Sequence, residues 1–390
     1  MKSSGKELRS IDGGVCAPNG FKGGVVCADC NGEKLPFGMI VSEKPCVAAG
    51  SFSMNEYIAD PVSLSRKRLK IGRAQILLIH SGRANVFIEE GEDIADVFCR
   101  LAETHTGISE EDVLIASFGS VGKPIPTKPF AESFPSLVKT LSGGEEGDFS
   151  LKQAFGEAAK SFSYAFDLWG YPCKIGGVFS GGRETVALIT TDVRISSKAL
   201  KKILDTEMKD TLRLLNIDGV DSPNDGVFVL SSGSASNYII DRIDGEYKKF
   251  SRILRSVLTE ICMQKAAKEG TLLCRVSGAK SKQEARRIAK NLVGKPRIKE
   301  LPYDPTPSKT LAFALWNETG TSLSGAEIRI RSKSGERVFF ADGVPLPDGK
   351  ETLKDFYEES PLEIVIDLGE GNFSATAYGS LKKPCKIFTE

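Results

Sequence analysis

The stretch that most constrains the fold lies near the middle of the chain, Ile175-Gly-Gly-Val-Phe-Ser-Gly-Gly-Arg-Glu-Thr-Val-Ala-Leu-Ile-Thr-Thr-Asp192. A glycine-rich turn runs directly into Thr185, and Thr185 opens a β-branched, apolar run that reads as a buried strand. Glycine adopts backbone angles closed to other residues and leaves room for close approach to the main chain. The segment therefore predicts a tight turn feeding an interior strand. Taken alone, Thr185 has two readings. Threonine is a good strand former, and a hydroxyl at the mouth of a strand can also act as a nucleophile.

Elsewhere, β-branched runs alternate with helical periodicity, which points to an α/β (α+β) architecture. Strands are expected at Gln75-Ile-Leu-Leu-Ile79, Asp112-Val-Leu-Ile-Ala116, Val186-Ala-Leu-Ile-Thr190 and Gly226-Val-Phe-Val-Leu230. Three more follow at Leu272-Leu-Cys-Arg-Val276, Leu362-Glu-Ile-Val-Ile-Asp367 and Ser374-Ala-Thr-Ala-Tyr378. Helices are expected over 94–103, 198–215, 250–268 and 282–292, the last opened by a capping box of Ser281 and Glu284. Gly143-Gly-Glu-Glu-Gly-Asp148 reads as a flexible surface loop, and 299–310, with three prolines, as a break. Residues 318–360 read as short, polar hairpins. Trp169 and Trp316 read as packing residues, because an indole ring buries a large apolar area.

Composition narrows the function by exclusion. Lys and Arg number 52 against 51 Asp and Glu, and no basic block stands out, so neither nucleic acid nor a membrane surface is an expected partner. No apolar run approaches the roughly 18 residues of a membrane span, and the N-terminus lacks the apolar core of a signal peptide. A cytoplasmic protein is expected. The nine cysteines read as free thiols. Cys27-Ala-Asp-Cys30 stands without a second pair, and the two histidines, His80 and His105, are not at ligand spacing, so no metal is expected. Two histidines are also thin material for a Ser-His or Cys-His mechanism.

An N-terminal threonine needs neither histidine nor metal. Its own α-amino group, with a pKa of about 7.7–8.0, can serve as the general base. An internal threonine must first be released: its hydroxyl attacks the preceding carbonyl, an acyl shift gives an ester, and water cleaves it. Glycines upstream allow the tight turn that brings hydroxyl and carbonyl together.

Several further elements follow one another along the chain. They are Gly13-Gly-Val-Cys-Ala-Pro-Asn-Gly-Phe21, Ala48-Ala-Gly-Ser-Phe-Ser-Met-Asn55, His80-Ser-Gly-Arg-Ala-Asn85 and Ala116-Ser-Phe-Gly-Ser-Val-Gly122. Beyond Leu188-Ile-Thr-Thr-Asp192 come Asp218-Gly-Val-Asp-Ser-Pro-Asn-Asp225, Ser277-Gly-Ala-Lys-Ser281, Asp367-Leu-Gly-Glu-Gly371 and Ala375-Thr-Ala-Tyr-Gly379. Collinear over nearly the whole chain, this set resembles the ornithine acetyltransferase family, the bifunctional N-acetylornithine:glutamate acetyltransferases of arginine biosynthesis.

The resemblance implies a double-layered αββα-type sandwich that cuts itself between Glu184 and Thr185. An α-chain-like region 1–184 and a β-chain-like region 185–390 would stay intimately associated rather than form independent domains. Thr185 would be the nucleophile of a ping-pong cycle that takes acetyl from N-acetylornithine and gives it to glutamate. Phe118 and Gly119 would be the oxyanion-hole positions, through their backbone alone. Glu269, Phe179, Ala165 and Thr389 fall at positions that meet substrate in the family. The resemblance implies no cofactor, an acylated amino acid and an amino-acid acceptor as partners, and a homo-oligomer or a dimer of cleaved pairs.

The departures cluster at the site. The turn before Thr185 is about half a dozen residues shorter than the family's. Phe179 replaces a substrate-binding lysine, Glu184 an alanine before the cut, and Phe118 the oxyanion threonine. Two alternatives therefore stand beside the family reaction: a diverged acyltransferase or amidohydrolase with another substrate, and a non-catalytic family member. Asp192 reads as a turn cap or a supporting acid. Asn224 and Asp225 read as a turn, and Ser81 and Asn85 as loop-shaping or pocket-lining residues.

Overall fold

A computed structural model describes residues 7–88, 94–219, 221–267, 270–320, 323–348, 353 and 361–382. The chain divides into two compact units, the first Met1–Asp205 with Asp221–Ser256, the second Thr206–Val220 with Val257–Glu390. The fold class is mixed α/β, as the alternating pattern predicts, with helices packed on a sheet in each unit.

The first unit contains, in chain order, β1 (Arg9–Ser10), β2 (Phe21–Cys30), β3 (Glu33–Phe52), α1 (Asp60–Arg68), β4 (Arg73–Arg83), α2 (Ile94–Thr106) and β5 (Val113–Ser120). It continues with α3 (Thr127–Lys139), α4 (Gly144–Ala154), β6 (Lys160–Leu168), β7 (Tyr171–Phe179) and β8 (Val186–Thr191). The start of α5 (Ser197–Met208), all of β9 (Gly226–Ser231) and the first half of α6 (Gly245–Ala266) complete it. Its sheet runs β1-β6-β7-β8-β9-β3-β4-β5, with β2 paired to β3. Every residue of β8 and of β9 is buried. The two are parallel neighbours, Val186 opposite Gly226, and a strand covered on both faces reads as an unbroken apolar run. The bond between residues 184 and 185 therefore lies inside this unit, between two strands of one sheet.

Phe37, on β3, anchors one of the unit's cores. Its ring lies 5.5 Å from Phe98, 5.1 Å from Phe130 and 5.4 Å from Phe134, which staples α2 and α3 to the sheet.

The second unit takes up the rest of α6 and adds β10 (Thr271–Ala279), α7 (Lys282–Gly294), α8 (Pro296–Lys299), α9 (Pro307–Thr319), β11 (Glu327–Arg331) and β12 (Glu336–Ala341). Its last strands are β13 (Val344–Pro345), β14 (Leu362–Asp367) and β15 (Phe373–Ser380), in a sheet ordered β13-β12-β11-β14-β10-β15. β11 and β12 form a short antiparallel hairpin, as the polar pattern of that stretch predicts.

Three local expectations need correction. Gly143-Gly-Glu-Glu-Gly-Asp148 is the start of helix α4 and not a loop. Glu145 and Glu146 favour a helix N-terminus electrostatically, and Asp148 accepts the Val15 N–H at 2.9 Å and the Ser161 hydroxyl at 2.8 Å. These contacts outweigh the glycines. The helix expected over 198–215 ends at Met208, and Leu212–Leu214 form a separate buried 3-10 turn. Trp316 is 53% exposed, its ring edge-on to the still more exposed Phe313.

The capping box is present in α7. Ser281 Oγ accepts the Glu284 N–H at 3.1 Å, and the Glu284 carboxylate reaches back to the Lys280 N–H at 2.8 Å. Removing such a cap costs about 1 kcal/mol. Ser281→Ala should lower the unfolding free energy by about that amount, seen as a lower denaturant midpoint with an unchanged slope.

Candidate active site

The ladder between β7 and β8 closes at Phe179 opposite Ala187, and the Ser180 N–H donates to the Val186 carbonyl at 2.9 Å. Residues 181–185 are left as the turn between the two strands. The turn lies against the α4–β6 connection so closely that a Cβ on Gly181 would sit 2.0 Å from the Ala158 carbonyl oxygen. Only glycine fits there.

Thr185 ends this turn with its main chain held on both sides. Its N–H donates to Asp225 Oδ1 at 2.6 Å, and its carbonyl accepts the Gly226 N–H at 3.0 Å. Its hydroxyl makes no hydrogen bond to any described residue. The other threonines of this strand are spent on structure: Thr190 donates to the Val15 carbonyl at 2.5 Å and Thr191 to the Lys174 carbonyl at 2.7 Å. Glu184 is half-buried, and its carbonyl accepts the Ser180 hydroxyl at 2.6 Å.

Asp225 belongs to the turn that feeds β9. Its second oxygen accepts the Ser222 N–H at 3.2 Å, and Asn55 braces the turn by donating to the Asp221 carbonyl at 3.0 Å. The neighbouring Asn224 is buried, and its Nδ2 donates to the carbonyls of Ala84 (2.6 Å) and Ser117 (2.8 Å). One dipeptide thus grips the Thr185 amide with one side chain and the C-terminal ends of β4 and β5 with the other. The sequence shows Asn224 and Asp225 only as a turn. The turn is there, but the ties they make depend on strands distant in the chain.

Ser117 leads into Phe118-Gly119. Gly119 has φ +130°, and a Cβ there would lie 2.4 Å from the Gly82 carbonyl carbon, so glycine is required. Phe118 is 8% exposed and packs in the same apolar cluster as Phe155, Val178 and Val186. The structure thus brings Thr185, Glu184, Phe118 and Gly119 into one region of the first unit. Phe179 is 1% exposed and sits beside Phe162 in the core. Ala165 lies half-buried in β6, opposite Lys174, and presents only a methyl group. Glu269 and Thr389 lie outside the described residues.

The titratable groups leave little alternative chemistry. Burial pushes the thiols of Cys16, Cys46, Cys99 and Cys173 up to about 12, so they are not thiolates. His80 is enclosed edge-on by Phe98 and Phe130, and burial lowers its pKa to about 3. Among the described residues its Nε2 has no hydrogen-bond partner, and the same is true of both side-chain polar atoms of the buried Asn85. Asp192 accepts the Lys174 N–H at 2.7 Å and the Asn19 N–H at 3.4 Å, and burial raises its pKa against those bonds. It acts as a tie between segments. Among the described residues no cluster of three or more His, Cys, Asp or Glu could hold a metal ion, and no helix is long and apolar enough to cross a membrane.

The model of the ArgJ family matches residues 22–381. The chain belongs to the ArgJ family. It is 28% identical to the "Glutamate N-acetyltransferase" of Methanocaldococcus jannaschii, covering 95% of this chain and 96% of that protein. It is 29% identical to the "Arginine biosynthesis bifunctional protein ArgJ" of Staphylococcus epidermidis, with 95% and 96% covered. The crystal structure of the Bacillus halodurans ArgJ protein aligns with a TM-score of 0.41 and 22% identity over 46% of this chain and 98% of that one.

The buried polar groups of the site make its stability testable. Asn224→Ala leaves the Ser117 carbonyl, buried, without that donor, and each such loss costs about 1–3 kcal/mol, so a marked drop in melting temperature is expected. His80 binds its proton far less readily folded than unfolded. Below its unfolded pKa of about 6.5 the unfolded state takes up the proton, and stability falls with pH until about 3. By pH 5 this effect amounts to about 2 kcal/mol. In His80→Leu, denaturant midpoints between pH 7 and 5 should therefore decline less than in the wild type.

Proposed function

We propose that this ArgJ-family chain transfers an acetyl group from N-acetylornithine to glutamate through an acyl-Thr185 intermediate. The chain first cuts itself between Glu184 and Thr185 into segments 1–184 and 185–390. The observation that carries this reading is the Thr185 hydroxyl, which makes no hydrogen bond to any described residue, at the end of a turn whose two neighbouring amides are firmly held.

Each part has a physical rationale. Cutting before Thr185 turns its amide into an α-amine, a base with an ordinary pKa of about 7.7–8.0 that can take the proton from its own hydroxyl. The Asp225 carboxylate, 2.6 Å from that nitrogen, holds it in place and favours its protonated form. N–H groups at the Phe118-Gly119 positions are the donors for the tetrahedral oxyanion. Phe118 has no hydroxyl to add a further donor. Acetyl passes from the donor to Thr185 Oγ1, the freed ornithine leaves, and the glutamate amine attacks the ester in turn.

A second reading keeps this chemistry with another amine or acyl group. It is favoured by Phe179, a core side chain at the position of the family's substrate-binding lysine.

Intact mass and denaturing electrophoresis of the purified protein test the cut. Two fragments are expected, the second beginning at Thr185, and Thr185→Ala should remain one chain. An uncut wild-type chain would sink the N-terminal-threonine reading. With cleaved protein, acetyl transfer from N-acetylornithine to glutamate separates the family reaction from the second reading, which predicts hydrolysis or transfer with other acyl donors only.

A further inference from the structure

We propose that Ser180 is a catalytic residue of the self-cleavage, the hydroxyl that polarises the carbonyl to be attacked. The inference rests on the reading of Thr185 as a nucleophile released by cleavage, and it assigns a step to a residue outside that reading.

Ser180 is fully buried at the end of β7 and grips the turn at two points flanking Thr185. Its Oγ donates to the Glu184 carbonyl at 2.6 Å and accepts the Val186 N–H at 3.2 Å. Its own backbone N–H bonds the Val186 carbonyl at 2.9 Å, so the serine cannot drift from the strand. The peptide bond between Glu184 and Thr185 is thereby held at both polar ends. A hydroxyl meets its oxygen and the Asp225 carboxylate meets its nitrogen at 2.6 Å.

That arrangement suits an N-to-O acyl shift. Thr185 Oγ1 adds to the Glu184 carbonyl carbon, and the negative charge gathers on the oxygen that already accepts the Ser180 hydroxyl. A hydrogen bond to an ionised oxygen is roughly twice as strong as one to a neutral carbonyl, so the contact stabilises the tetrahedral state more than the resting amide. The carbon–nitrogen bond then breaks, and the proton of the threonine hydroxyl ends on the nitrogen, beside Asp225. The product is an ester between Glu184 and Thr185 Oγ1. Water hydrolyses it to a Glu184 carboxylate, restores the Thr185 hydroxyl and leaves a free α-amine. Ser180 thus places a donor on the reacting oxygen while the chain is still uncut.

The test follows cleavage over time by intact mass in the full-length wild type, Ser180→Ala and Ser180→Cys, with melting temperature as the check on folding. Loss of a single oxyanion donor slows a reaction by about a hundred- to a thousand-fold, and Ser180→Ala should slow by that much while still folding. Ser180→Cys, a weaker donor of similar size, should fall between the two. Hydroxylamine, which cleaves esters, should not speed Ser180→Ala, because the block precedes the ester. A folded Ser180→Ala that cleaves at the wild-type rate overturns the role of Ser180 alone. That role is equally overturned if hydroxylamine restores its cleavage, or if cleavage in both variants is lost only together with the folded state. A wild-type chain that never cleaves overturns the Thr185 reading and this one with it.

Discussion

The Asn224-Asp225 turn is the joint on which the site depends. Asp225 holds the Thr185 amide, while Asn224 holds the carbonyls of Ala84 and Ser117 at the ends of β4 and β5. Ser117 Oγ adds its own bond to the Ala84 carbonyl at 2.9 Å and accepts one from Asn224 Nδ2 at 3.1 Å, so the three residues bond one another. Buried polar groups of this kind are costly when unpaired, which gives the joint a single stable arrangement. The parallel pairing of β8 with β9 then fixes the rest. Once Thr185 and Gly226 are bonded, the turn that carries Asp225 has only one register against the turn that carries Thr185.

Electrostatics reinforce this division of labour. The buried thiols of Cys16, Cys46, Cys99 and Cys173, and His80, sit in surroundings that hold them neutral, so they offer neither nucleophile nor base. The polar groups bonded to the main chain around residue 185 are the Ser180 hydroxyl and the Asp225 carboxylate. The proposed N-terminal-threonine mechanism draws on such groups and needs no histidine, of which the chain has two.

Much of the scaffold is legible from the sequence because its signals are local. The strands at β4, β5, β8, β9, β10, β14 and β15 are β-branched runs whose apolar faces demand burial, and α2, α6 and α7 carry an apolar stripe at helical spacing. Ser281 and Glu284 cap α7 through contacts three residues apart. The long hairpin of β2 and β3 carries no such signal. Its 20-residue second strand mixes charges, two prolines and two glycines, and it is ordered by three different partners along its length. Helix α4 is hidden for the same reason: its glycines argue for a loop, while Asp148 is engaged by Val15 and Ser161 from other segments.

The sequence by itself determined the fold class, the family and the position of Thr185, because these are written in periodicity and in motifs that lie in order along the chain. It could not say which hydroxyls are free. Thr185, Thr190 and Thr191 are alike in the sequence, and only the fold supplies carbonyls to the hydroxyls of two of them and, among the described residues, none to the third. Nor could it show that Ser180 and Asp225 meet opposite ends of one peptide bond, since the second of those contacts joins residues 40 apart. Hydrogen bonds are short-ranged and directional, so whether a side chain is spent or available is settled by which strand lies beside it.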